Sequence, residues 1–187
     1  MVVGLSFLLS VFALLSAVTL LVLAISDLLI ASFRFWPPPK DQGWQKPVFM
    51  TLFRFMAYGL VFSSLLYLWQ NGFQTSLLVN SLAGILIFTG FVGALLATGV
   101  LGWKTAFGAK EGLRTDGIFA YSRNPIYIAT WFGLAGWALL VPAPGIIATL
   151  LCWALLYLVA IFLEERWLQQ EYGEAFDEFC TKTRRFI

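Results

Sequence analysis

The sequence predicts an all-α integral membrane protein with five transmembrane helices, a polar loop on the cytoplasmic side and a C-terminal interfacial helix. Three observations carry that expectation. Of the 187 residues, 60% are hydrophobic and only 12% charged, where a soluble domain carries about 25% charged residues; the mean hydropathy is +0.83. Residues 1–26, 55–103 and 124–163 contain no charge at all. The basic residues, finally, fall only in alternate connections between the apolar segments.

At 1.5 Å per helical residue the three uncharged stretches reach roughly 39, 74 and 60 Å against a hydrocarbon core of about 30 Å, so the first fits one crossing and the others two each. Each long stretch also has turn chemistry near its middle: Gln70-Asn71-Gly72-Phe73-Gln74-Thr75-Ser76 in one and Pro142-Ala143-Pro144-Gly145 in the other. The expected helices span 3–26, 48–69, 77–103, 126–141 and 145–163. The fourth is short for a crossing, which suits a tight hairpin with the fifth, tilted or shielded by neighbours. The first lacks a basic n-region and its apolar run exceeds an h-region, so it is expected to stay uncleaved. Small residues crowd the third helix (Gly84, Gly90, Gly93, Ala94, Ala97, Gly99, Gly102) and permit close packing, expected inside a monomer ahead of dimerisation.

Orientation follows from the 12 Lys and Arg. Arg34, Lys40, Lys46 and Arg54 lie between the first two helices; Lys104, Lys110, Arg114 and Arg123 between the third and fourth; Arg166, Lys182, Arg184 and Arg185 after the fifth. All therefore share one side, which the positive-inside rule makes cytoplasmic, with the N-terminus outside. The 10 carboxylates fall on the same side, Asp27 near the inner end of the first helix. Phe33, Phe35, Trp36, Trp44, Trp69 and Trp103 read as an interfacial aromatic belt. The chain forms a single membrane domain over 1–187. Residues 1–103 supply three helices, and 104–187 supply the loop, the hairpin and a C-terminal amphipathic helix. The triple proline at 37–39 is a stiff loop segment.

Composition excludes much chemistry. With no histidine there is no His-ligated metal, no Ser-His or Cys-His pair and no imidazole base. Two cysteines, Cys152 and Cys180, cannot fill a zinc site, and helix rise sets them too far apart for a disulfide. A net charge of +2 argues against a nucleic-acid partner.

Two polar clusters remain. The loop Lys104–Tyr127 is long for a connection without a function of its own; Asp116-Gly117 marks a turn, and Pro125 suits the first turn of the fourth helix. Glu164-Glu165-Arg166 closes the fifth. Adjacent carboxylates at a helix C-terminus oppose the macrodipole, so they either end the apolar stretch and pair with Arg123 or Arg166, or receive a cation. The hairpin sets Arg123-Asn124 beside Glu164-Glu165. A ligand with both a carboxylate and an ammonium group fits there, Arg123 taking the former and a Glu the latter; S-adenosylmethionine has both. Arg123 or Arg54 could also anchor an anionic head group. Beyond the fifth helix, Leu168, Tyr172, Phe176 and Phe179 form one face of an expected amphipathic helix over 166–179, which either docks on the membrane or closes as a lid.

The motifs Gly117-Ile118-Phe119, Arg123-Asn124-Pro125-Ile126-Tyr127, Glu164-Glu165, Tyr172-Gly173-Glu174 and Arg184-Arg185-Phe186 occur in that order. From about residue 103 onward the chain thereby resembles the isoprenylcysteine carboxyl methyltransferase family and its phospholipid N-methyltransferase relatives. The resemblance implies an integral-membrane enzyme using S-adenosylmethionine, with Gly117, Tyr121, Arg123, Asn124, Pro125, Tyr127, Glu164 and Glu165 as cofactor-site positions and Arg123 and Glu165 closest to the catalytic chemistry. One position departs from the family pattern: its usual histidine is Asn124, which can hydrogen-bond but cannot titrate. The implied acceptor is a lipophilic or lipidated molecule reaching the inner interface sideways from the membrane lipids. A carboxylate of the isoprenylcysteine kind comes first, and a phospholipid amine or small thiol stands as the alternative. An NADPH-dependent reductase like the membrane sterol reductases, whose C-terminal hairpin is similar, and a non-enzymatic scaffold stay open as other classes.

Overall fold

The computed structural model describes residues 2–38, 43–106 and 112–187. Pro39, Lys40 and Lys110, counted above for the loops and orientation, lie outside the described residues, as does 107–111 of the long loop. Within them the chain is helical throughout: α1 (Val2–Leu29), α2 (Gln45–Asn71), α3 (Leu77–Leu101), the single turn α4 (Trp103–Ala106), a 3-10 turn (Gly117–Ala120), α5 (Pro125–Leu140), α6 (Pro144–Tyr172) and α7 (Glu174–Lys182).

α1, α2, α3 and α6 are long and apolar enough to cross a membrane, and the chain is a multi-pass membrane protein. Their outward faces carry large apolar side chains such as Phe7, Phe62, Leu65, Leu78, Phe88 and Leu96, all more than half exposed; water would not tolerate so continuous a surface. The boundaries follow the expected punctuation. Ser76 caps α3 by accepting from the Val79 amide, and proline opens both α5 and α6. With 16 residues, α5 is the short apolar helix.

Two expectations need correction. The hairpin partners α5 and α6 are not packed tightly along their length: α5 lies chiefly on α3, and α6 on α1. Glycine explains the choice. A Cβ on Gly90 would overlap the Gly133 backbone, and one on Gly136 would stand 2.7 Å from the Ala83 carbonyl oxygen, so bare backbones fix the α3–α5 approach. Gly90→Ala is therefore expected to cost about 1–3 kcal/mol by overpacking, whereas Gly93→Ala, whose Cβ would meet Ala129 at an ordinary 3.5 Å, should be tolerated; thermal unfolding in detergent measures both.

The second correction concerns the amphipathic helix expected over 166–179. α6 does not stop at the first charges but runs on to Tyr172, where Gly173 breaks it with φ 50°, a left-handed conformation that favours glycine. α7 then begins. Glu164 and Glu165 thus lie inside a helix rather than at its C-terminus. The apolar face of 166–179 is turned inward as well: Phe176 and Phe179 are buried against Phe119 of the 3-10 turn, with Leu168 and Tyr172 beside them. A second, smaller core closes the charged end of the bundle, separate from the main one between α1, α2, α5 and α6.

Candidate functional site

Pro125 starts α5 and so ends the loop that carries Arg123 and Asn124, while uninterrupted α6 brings Glu164 and Glu165 alongside. Glu165 is the hub. Its Oε1 accepts from Arg123 Nε at 3.2 Å and from Asn124 Nδ2 at 3.5 Å, and lies 3.1 Å from Arg123 Nη2. Its Oε2 takes Arg185 Nε at 2.9 Å and pairs with Nη2 at 2.7 Å. The Arg123 and Glu165 side chains are only 11% and 12% exposed, so these charge-assisted bonds are largely shielded from water.

The same residues hold the C-terminal strand of chain. Arg123 Nη1 donates to the Thr183 and Cys180 carbonyls at 2.9 and 3.3 Å, and the Arg123 amide donates to Arg184 O at 3.0 Å. Asn124 Nδ2 and Ser122 Oγ both donate to Arg185 O. Phe186 packs on Trp131, and Arg185 stacks over Phe162 at 4.9 Å. The hydrogen bonds from Arg185 to Glu165 push its pKa further above the usual range, so it stays charged. Burial pushes the Cys180 thiol up, away from a thiolate, and both cysteines are free.

Glu164, one residue earlier, belongs to a different environment. Its Oε1 accepts from Tyr127 Oη at 2.6 Å and from Trp36 Nε1 at 2.8 Å; among the described residues nothing donates to Oε2. It lines a cavity of about 560 Å3, within the range of small-molecule sites. From Glu164 the cavity follows α6 back to Trp153, and Phe53 of α2 and Phe91 of α3 line it as well, Phe53 with its ring centroid 5.3 Å from that of Trp153. Eleven residues of helix correspond to roughly 16 Å. The cavity thus has an acidic end and a long aromatic and aliphatic body. α2 and α3 both contribute walls while packing chiefly on other helices.

Of the residues singled out in the sequence, Arg123, Asn124, Pro125, Tyr127, Glu164 and Glu165 all line this cavity. Gly117 and Tyr121 do not: Gly117 opens the 3-10 turn with φ 60°, and Tyr121 is 82% exposed. Arg54 is exposed on α2 and is not part of the cavity wall. Arg114, passed over in the sequence, does line it, with Asp116 3.4 Å away. Trp36 and Phe35 were expected at the lipid surface, yet Phe35 is 1% exposed and Trp36 is a cavity residue bonded to Glu164. Trp69, at 86% exposure, does fit the belt. No sequence signal separated these tryptophans, because each borders an apolar run in the same way.

Asp27 was also missed. It is fully buried; its Oδ2 accepts from the Phe35 and Trp36 amides at 2.6 and 2.7 Å, and its Oδ1 pairs with Arg166 at 2.5 Å. The loop after α1 is thereby folded back against α6.

A family model described as phospholipid methyltransferase matches residues 78–175, from α3 to the start of α7 and just over half the chain. No curated protein and no solved structure matches it.

Proposed function

The chain belongs to the phospholipid methyltransferase family, and from that premise we infer that it is an S-adenosylmethionine-dependent methyltransferase acting on a lipophilic acceptor at the cytoplasmic membrane interface. The observation that carries this reading is the cavity: a half-buried carboxylate with one uncommitted oxygen, Glu164, at the polar end of an apolar chamber of about 560 Å3. That donor set fits the cofactor. Glu164 would hold its ammonium group, and the aromatic walls would enclose its apolar parts. When bound, S-adenosylmethionine supplies a methyl group activated on a sulfonium.

The chain's own residues then position and shield. Arg123 spends its guanidinium on Glu165 and two backbone carbonyls, so its proposed role is to fasten the C-terminal segment against the cavity rim, with Asn124 and Glu165. Arg114 is the cavity-lining cation with the weaker commitment, an exposed Asp116, which supports it as the anchor for an anionic group. Gly117 supports the loop turn, and Pro125 and Tyr127 set the α5 wall. Water exclusion by this apolar lining strengthens each polar contact inside it.

The acceptor reaches the chamber from the bilayer between α2 and α3. A carboxylate acceptor, the first choice from sequence, needs no base and only orientation; this suits a chain without histidine. The family description favours the second reading, a phospholipid amine. Methyl-deuterated S-adenosylmethionine given to membranes with and without the protein, followed by mass spectrometry, distinguishes the two by the labelled product. Purified protein is expected to bind S-adenosylhomocysteine in calorimetry and to ignore NADPH; the reverse preference would replace this reading with a reductase, and binding of neither would leave a scaffold.

A further inference from the structure

We propose that Trp36 is a cofactor-site residue and that Asp27 and Arg166 are its positioning residues. The N-terminal half of the chain, outside the matched segment 78–175, would then complete the site. The inference rests on the reading above that Glu164 receives the cationic end of the cofactor.

The chain of contacts is continuous. Arg166 Nη2 holds Asp27 through both its Oδ1 and its backbone oxygen. Asp27 Oδ2, with no exposure to solvent, takes the two successive amides of Phe35 and Trp36. Those bonds fix the backbone from which the Trp36 indole reaches across to Glu164 Oε1, 128 positions away in the chain. Phe49 supports the indole, their ring centroids 4.3 Å apart.

A carboxylate on a helix has free rotation about its terminal bonds, and orienting it costs entropy that a bound ligand must otherwise offset. Two donors on Oε1, Trp36 Nε1 and Tyr127 Oη, settle that orientation beforehand and leave Oε2 to the cavity. Tyr127 comes from α5, next to the site in sequence; Trp36 comes from the loop after α1, where Asp27 holds its backbone and Phe49 its ring. Buried aspartate, packed indole and carboxylate form one unit that spans α1, the loop and α6.

The test is a double-mutant cycle read by S-adenosylhomocysteine affinity, using the full chain in lipid nanodiscs with the thermal midpoint measured alongside. Trp36→Phe keeps the ring and removes the donor; it should raise Kd severalfold, up to about tenfold, because ordering the carboxylate then falls to the bound ligand. Glu164→Gln should raise it at least as much. In the Gln background Trp36→Phe should cost no more than about twofold, because the charge it orients is gone. Asp27→Ala should weaken affinity severalfold as well as lower the midpoint, and Asp27→Asn, which still accepts both amides, should restore most of the affinity.

Each failure has its own meaning. No binding by the unaltered protein removes the functional reading. Normal binding unaffected by Glu164→Gln removes Glu164 as the receiver, and this proposal with it. An unchanged Kd in Trp36→Phe, or a cost equal in both backgrounds, overturns the role of Trp36 alone. A lowered midpoint with unchanged Kd in Asp27→Ala overturns the role of Asp27 as a positioning residue.

Discussion

Replacing Glu165 with alanine is expected to destabilise the protein by about 3–5 kcal/mol, the usual cost of breaking a buried ion pair from one side, and to abolish cofactor binding. Arg123 would keep its two backbone carbonyls but lose its countercharge in a setting where it is only 11% exposed. Arg185 would lose both carboxylate contacts and, being 39% exposed, would turn to solvent. The C-terminal residues would then be held only by hydrogen bonds to their backbone and by Phe186, and would loosen at the cavity rim. Amide hydrogen exchange at Thr183, whose amide donates to Phe179 O, should accelerate while α1 and α2 stay protected. Arg123→Ala should do much the same, and the double variant should cost far less than the sum, since the pair is then removed together. Full activity in the double variant would contradict the proposed site.

Asp27→Ala should be nearly as severe, by a different route. It strands two buried backbone donors, each costing about 1–3 kcal/mol when unsatisfied, and frees Arg166, whose side chain is 42% exposed and can hydrate. A loss of about 2–6 kcal/mol is expected in denaturant unfolding. Asp27→Asn, which can still accept both amides through its oxygen, should recover more than half of it. If the alanine variant unfolds normally, the loop after α1 is held by its aromatic packing instead, through Phe33, Phe35 and Trp44.

Much of this fold was legible in the sequence because apolar length and proline or glycine punctuation are local properties. Uncharged runs located the long helices; Pro125 and Pro144 marked two starts. The end of α6 was misread for an equally physical reason. Glu164, Glu165 and Arg166 stop the apolar run, but nothing in them stops a helix, and backbone geometry changes only at Gly173. Helix partners were illegible too: the glycines of α3 announce a close approach without saying to what, and α5 supplies the matching Gly133 and Gly136.

The site divides along the same line. Arg123, Asn124, Tyr127 and the glutamates form ordered motifs close to one another in the chain. Their joint place on the cavity follows from a short connection and a helix. Which glutamate keeps an oxygen for the cavity and which is spent on arginines could not be read, because neighbouring positions on a helix point about 100° apart and the pattern does not say what each one meets. The Asp27–Trp36–Glu164 unit joins residues with no shared periodicity, and a single aspartate beside an aromatic-rich loop looks like any membrane border.

The shortness of α5 carries one more consequence. Its 16 residues give roughly 24 Å of helix against a hydrocarbon layer of about 30 Å, and it stands beside full-length α3. A lipid layer meeting that pair must thin at the shorter wall or leave backbone ends under-covered, and thinning costs a fraction of a kcal/mol per ångström. If α5 crosses, head groups would be drawn nearer to the mid-plane beside it. Bilayer thickness is thus expected to change the protein's stability: shorter-chain lipids should favour it, and thicker, stiffer membranes should oppose it.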